Sequence, residues 1–288
     1  MASDPKVQEK FGIKPAQTYQ RLISHAHWTD KSLEDVGPNK QLVVIHLAGL
    51  AHQMQGATPA DMHTANTQFA VQVARQAIAA GCKTFVLVST AKVMGDRTHK
   101  PADEQDDTQP SDVYSKSKLA AETALLALFK HTPCKLIIVR PPLVYGPQAK
   151  ANFESLMQWC AKGLLLPFGA VTKPRSMIYI DNLCDALLWC GFNDAAQAPV
   201  YFVKDAQDLS IKDWIIQIRH GLKLPARLVW VPISLLKVLA VLIKKTDAIE
   251  KVVSPFQISD QRILSDGWIA PTTVQKAIAT TCAVWVGK

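Results

Sequence analysis

The chain has no Cys-x-x-Cys pair and no His cluster at metal-ligand spacing, which argues against a zinc site and against a thiol redox motif. Its six cysteines, Cys82, Cys134, Cys160, Cys184, Cys190 and Cys282, are scattered and read as buried thiols in a reducing compartment. The opening Met-Ala-Ser-Asp-Pro-Lys has no apolar stretch of signal-peptide length, so a cytoplasmic address is expected. Nor does any stretch reach the ~20 apolar residues of a transmembrane span. Leu228 to Ile243 comes nearest, but Pro232, Ser234 and Lys237 interrupt it. A buried helix is expected there, with interfacial attachment through Lys244 and Lys245 as the alternative. Basic residues form no run interleaved with aromatics, so no nucleic-acid partner is expected. The formal charge of +8 then fits either an anionic small partner, such as a nucleotide diphosphate, or simply a solvated basic surface. Glycine is sparse at the front: residues 1 to 40 hold only Gly12 and Gly37, and no strand followed by a glycine-rich turn.

What is present is ordinary globular material, 48% hydrophobic and 19% charged in 288 residues, which excludes wholesale disorder and supplies one sizeable core or two joined ones. From residue 41 onward, short β-rich runs alternate with helical segments, the signature of a parallel sheet covered by helices. Gln41 to Ala48 (QLVVIHLA), Thr84 to Ser89 (TFVLVS) and Lys135 to Arg140 (KLIIVR) are apolar runs suited to strands buried on both faces. Pro59 to Ala80, closed by Gly81, and Asp112 to Lys130 are predicted helices between them. Beyond Pro141 come turn signals at Tyr145-Gly146-Pro147 and Pro167-Phe168-Gly169, with helices near Asn152 to Lys162 and Ile211 to His220. The predicted organisation is an atypical segment over 1–40, an α/β Rossmann-like doubly wound core over 41–148, and a smaller substrate-binding region over 149–288 interleaved with the last strands.

The chemistry concentrates at Tyr114-Ser-Lys-Ser-Lys118 (YSKSK), where the tyrosine and the lysine four residues later share a helix face. An ammonium about 4 Å from a phenol favours the phenolate by ~4 kcal/mol at an effective dielectric near 20, which makes a group of pKa ~10 usable near neutrality. The bland alternative is a surface tyrosine among solvated lysines. Upstream, Ser89 and Thr90 follow the strand TFVLV, at the carboxyl end where parallel sheets hold ligands. They could hold a substrate oxygen there, or merely bond local backbone. His46 ends a strand and reads as a satisfied core histidine, whereas His52 is a weak substrate-contact candidate. Asp181 is expected to cap a helix starting at Asn182.

These motifs together resemble the extended short-chain dehydrogenase/reductase type, the NAD-dependent epimerase/dehydratase family. The bacterial surface-polysaccharide members acting on UDP-N-acetylhexosamines are the most similar. The resemblance runs from about residue 41 to the end, through HLAGLAH (46–52), FVLVSTAKVMG (85–95), YSKSK (114–118), RPPLVYGP (140–147), ANF (151–153), LLLPFGAVTKPRSMIYIDNL (164–183) and Gly267-Trp268. It implies that Thr90, Tyr114 and Lys118 are catalytic, with Tyr114 the acid-base and Lys118 lowering its pKa while bonding a nicotinamide ribose. Ala48, Gly49, Ser89, Tyr114, Lys118, Pro141, Pro142 and Leu143 would line the cofactor, NAD or NADP. Thr90, Lys92, Asn152, Pro167, Phe168 and Arg175 would bind a UDP-sugar, with Asn152 and Arg175 on the diphosphate and the Leu166 to Gly169 stretch on the uracil. Taken alone, Arg175 reads as a surface charge and Phe168 as core. No metal and no transmembrane segment is implied, and a homodimer is compatible with the reading.

The implied activity is oxidoreduction at C4 of a UDP-N-acetylhexosamine, as a 4-epimerase or a 4-keto-sugar reductase, in surface-polysaccharide biosynthesis. The departure lies at the front, where the family has a strand, a Gly-x-x-Gly-x-x-Gly turn and a helix that bind the cofactor pyrophosphate. The alternative expectation is therefore a truncated, catalytically impaired sugar-nucleotide-binding remnant. A peripheral membrane scaffold is a third.

Overall fold

The computed structural model describes residues 41–50, 58–149, 152–242 and 246–287. The segment 1–40, His52, Ala151 and the pair Lys244 and Lys245 lie outside the described residues.

The apolar runs form a four-stranded, all-parallel sheet of β1 (Val43–His46), β2 (Thr84–Val88), β3 (Lys135–Arg140) and β7 (Val200–Phe202), in the order β1-β2-β3-β7. Period-two alternation decides which side each residue serves. Val44, Phe85, Leu87, Leu136 and Ile138 pack on one face against the helices Phe69–Ala79 and Val113–Phe129. Val86, Ile137, Val139 and Tyr201 pack on the other against the helix Ile180–Phe192. Both faces are thereby covered, as a parallel sheet requires, and the α/β Rossmann-like reading holds.

Two strand pairs extend this frame: β4 (Leu143–Tyr145) with β6 (Met177–Tyr179) in parallel, and β5 (Pro174–Arg175) with β8 (Leu209–Ser210) in antiparallel. A second core gathers around Tyr145, Phe153, Met157, Trp214, Ile215 and Ile278, with the Tyr145 and Trp214 rings 4.7 Å apart and edge-on.

Three local expectations are corrected. The predicted helix over 59–80 is interrupted: Pro59–His63, capped by Thr58 and Asp61, passes through a π-helical turn at Thr64–Gln68 before Phe69–Ala79 resumes. Gly81 closes it at φ +73°, a conformation that favours glycine. Asp181 does not cap the helix but lies in its first turn, because the helix starts two residues earlier than expected, at Ile180. Its amino end is capped instead from a distance, because Asp205 Oδ1 accepts the Tyr179 N–H at 3.0 Å. Finally, the helix within Leu228 to Ile243 runs over Ile233–Leu242 and buries Leu236, yet it leaves Leu235, Val238 and Val241 exposed. Apolar residues surround that helix, while the second core lies on one side of it.

Candidate active site

Thr90 follows β2 and opens a short 3₁₀ turn, Ala91–Met94, accepting the Lys92 N–H on its hydroxyl at 3.2 Å. Tyr114 lies in the first turn of the helix Val113–Phe129, whose amino end is capped by Asp112. Asp112 accepts the Ser115 N–H at 2.7 Å, and Ser115 Oγ in turn accepts the Asp112 N–H at 3.2 Å. A side-chain hydrogen bond joins Thr90 to Tyr114, so the two candidate catalytic groups meet at the carboxyl end of the sheet. Burial raises the phenol above its ordinary value, Asp112 adds to that, and the Thr90 hydrogen bond opposes both.

Lys118, one turn further on, is buried, and its Nζ donates to the Val88 carbonyl at 2.6 Å. Burial brings its pKa down to about 8 against the pull of Glu122. In this structure the Lys118 ammonium is turned to the end of β2, and the Thr90 hydrogen bond is what counters the rise at Tyr114. Gly49 approaches the same point, since a Cβ there would lie 3.8 Å from Lys118 Nζ and 2.5 Å from Asn66 Oδ1. Ala48 and Gly49 are exposed beside it. Pro141 and Pro142 are buried, with the Pro141 carbonyl accepting the Ala91 N–H at 2.8 Å, while Leu143 is exposed. Glycine at 49 is what lets the loop after β1 pack this closely on the Asn66 side chain beside Lys118.

The predicted substrate contacts divide. Lys92 is ion-paired to Asp112 and, at 3.4 Å, to Asp96, so it buttresses the Tyr114 helix cap. Partial burial works to raise Asp112, but Lys92 and Ser115 outweigh it and hold the carboxyl at about 2. Asp96 is also the charge that offsets the burial of Arg175, whose pKa comes down to about 10. Arg175 Nη1 donates to the Ser254 carbonyl and its guanidinium lies 6.0 Å over the Phe256 ring. Asn152 heads the helix Asn152–Ala161 and is exposed. Pro167 is exposed, but Phe168 is buried in the second core, stacked on Trp159 at 6.1 Å, so its ring serves packing.

His46 is buried between the Phe69 and Phe85 rings, as a core histidine should be. It is not satisfied: Nε2 has no partner among the described residues. Burial, followed by the charge of Lys118, brings it to about 4, so it is neutral at physiological pH.

Three residues beneath the site escaped the sequence reading. Asn66, carried by the π turn, accepts the Leu50 N–H at 2.7 Å and donates to the Leu50 carbonyl at 3.1 Å and to Ser117 Oγ at 2.9 Å. It ties the loop after β1 to the catalytic helix. Glu122 takes three contacts from Arg140, at 3.1, 3.2 and 2.6 Å, and also accepts the Ser89 hydroxyl. The Ser89 side chain is thus committed to Glu122. Glu122 is four residues past Lys118, and that spacing was the one available signal.

A family model described as the NAD dependent epimerase/dehydratase family matches residues 7–201. The UDP-glucose 4-epimerase of Vibrio cholerae is 35% identical over 251 residues, 85% of this chain and 76% of that protein. The N-acetyl-α-D-glucosaminyl-diphospho-ditrans,octacis-undecaprenol 4-epimerase of Escherichia coli O157:H7 is 28% identical over 229 residues, 73% of this chain and 69% of its own length. Among solved structures, a UDP-N-acetylglucosamine 4-epimerase from Methanobrevibacter ruminantium, in complex with UDP-N-acetylmuramic acid, superposes at a TM-score of 0.69. That match covers 90% of this chain and 80% of the other at 16% identity, a likeness of fold. With a parallel sheet presenting Thr90, Tyr114 and Lys118 at its carboxyl end and these similarities alongside, the chain belongs to the NAD dependent epimerase/dehydratase family, enzymes of the extended short-chain dehydrogenase/reductase type.

Proposed function

We propose that this protein carries out NAD(P)-dependent oxidoreduction at C4 of a UDP-N-acetylhexosamine, as a 4-epimerase or a 4-keto-sugar reductase. The observation that carries the reading is the convergence of Thr90, Tyr114 and Lys118 at one end of the parallel sheet. Two similar proteins bear names that specify 4-epimerisation of N-acetylglucosamine, one carried by UDP and one by a polyprenyl diphosphate. Bound against Gly49 and Lys118, with Ala48 and Pro141 to Leu143 beside it, NAD or NADP would supply the hydride exchange at C4.

The chain's own residues would handle the proton and the positioning. Tyr114 exchanges a proton with the C4 oxygen, and Thr90 holds that oxygen and the phenol in line. Lys118 fixes a ribose, and Arg175, with Asn152, faces the diphosphate. Asn66 and the Glu122–Arg140 pair keep this geometry from relaxing. Six free thiols suit a reducing compartment, and we assign the enzyme to the cytoplasm and to surface-polysaccharide synthesis as part of the same reading.

The test is conversion of UDP-N-acetylglucosamine to its 4-epimer with added NAD, followed by chromatography. Tyr114→Phe should lower turnover ~10²–10⁴-fold while UDP affinity stays nearly the same, because the phenol supplies a proton and little binding area. An unchanged rate in the variant would remove Tyr114 from the chemistry.

A further inference from the structure

The helix Ile233–Leu242 and the segment leading into it expose an apolar face that the catalytic reading does not use. Leu235, Val238 and Val241 are spaced three apart, so they occupy an arc of about 120°. Trp230 stands just before the helix. Leu164 and Leu165 join the same neighbourhood, because Leu166 bonds the Arg227 carbonyl at 3.1 Å and the Val229 N–H at 2.9 Å. All six side chains are between 48% and 69% exposed.

The segments that carry this face are basic, and the acidic neighbour beside it is Glu250 on the helix Thr246–Val253. No Asp or Glu occurs from residue 155 to 180 or from 214 to 246. Lys162, Lys223, Arg227 and Lys237 are exposed in those stretches. Among the described residues, Lys237 is the one of these four with an ion pair, to Glu250 at 2.9 Å on the neighbouring helix. A helix of ten residues is ~15 Å long, half the ~30 Å needed to span a bilayer, and no described helix is long and apolar enough to cross one. An exposed tryptophan and leucines flanked by cations suit binding in the plane of an anionic lipid surface.

We infer that this face docks the protein on an anionic membrane surface, with Trp230, Leu235 and Val238 inserted among the acyl chains and Lys162, Lys223 and Arg227 against the headgroups. The inference is independent of the reaction assigned to Tyr114. Flotation of the full chain with vesicles of phosphatidylcholine, with and without phosphatidylglycerol, is the measurement. Binding is expected only to the anionic vesicles, and it should weaken as salt rises. Trp230→Glu combined with Val238→Glu should reduce it roughly tenfold or more. Lys162→Glu with Lys223→Glu should do the same without touching the apolar face. Both variants should leave turnover of a soluble UDP-sugar unchanged. The inference is overturned if the native chain ignores anionic vesicles or if the variants bind them equally well. It is also overturned if light scattering finds a concentration-dependent dimer that the apolar substitutions abolish, which would make the face a self-association surface.

Discussion

Replacing Glu122 with glutamine preserves volume but takes one charge from a pocket in which two are balanced. Glu122 is 1% exposed and Arg140 6%, and three nitrogen–oxygen contacts of 2.6 to 3.2 Å join them. Glutamine offers Arg140 one oxygen and turns an N–H₂ group toward its other donors, leaving the guanidinium buried without a counter-charge. Breaking such a pair from one side costs about 3–5 kcal/mol. At ~2–4 °C per kcal/mol for a chain near this size, Tm should fall by roughly 6–20 °C in a calorimetric scan. The double variant Glu122→Leu, Arg140→Met should recover much of that, because an apolar pair of similar volume removes both desolvated charges. The same substitution should reach Lys118, which burial holds at about 8 and Glu122 supports. Without that support its folded-state pKa falls further below the ordinary 10.5. Between the two values the unfolded chain binds the additional proton, so stability rises with pH across that window, and the window widens downward in the variant. A rate that needs charged Lys118 should lose its alkaline limb near pH 8 in the native enzyme and at lower pH in Glu122→Gln. An unchanged Tm together with an unmoved limb would refute the argument.

Arg175→Ala should weaken UDP binding by about 1.5–3 kcal/mol, or roughly 10–150-fold, in a calorimetric titration; equal affinities would mean the guanidinium serves only Ser254 and Phe256. The 288-residue chain, with no Gly-x-x-Gly-x-x-Gly turn in its sequence, should bind NADH weakly. Losing two or three charge-assisted hydrogen bonds to the pyrophosphate costs ~3–9 kcal/mol, which takes a micromolar site to millimolar or beyond. Fluorescence titration decides this, and a low-micromolar constant would reveal a phosphate site within residues 1–40.

Period and punctuation made the sheet legible from the amino-acid order. Lys135–Arg140 has the bounds expected of it, and the helix after Asp112 begins and ends where its cap and apolar pattern say. Tyr114 and Lys118 followed as neighbours on that helix, because a four-residue spacing is a local fact. Contacts between distant segments were not legible. Glu122 meets Arg140 only because helix and strand cross at that height, Asn66 reaches Leu50 only because one turn widens to π, and Asp205 reaches the start of a helix from the loop after β7. The same holds for Ile233–Leu242, whose hydrophobicity predicted burial. An apolar side chain is buried only when another element arrives to cover it, and the fold brings cover to Leu236 while leaving Leu235, Val238 and Val241 in water. Chain order therefore determines which surfaces seek a partner, whereas tertiary packing decides which of them find one.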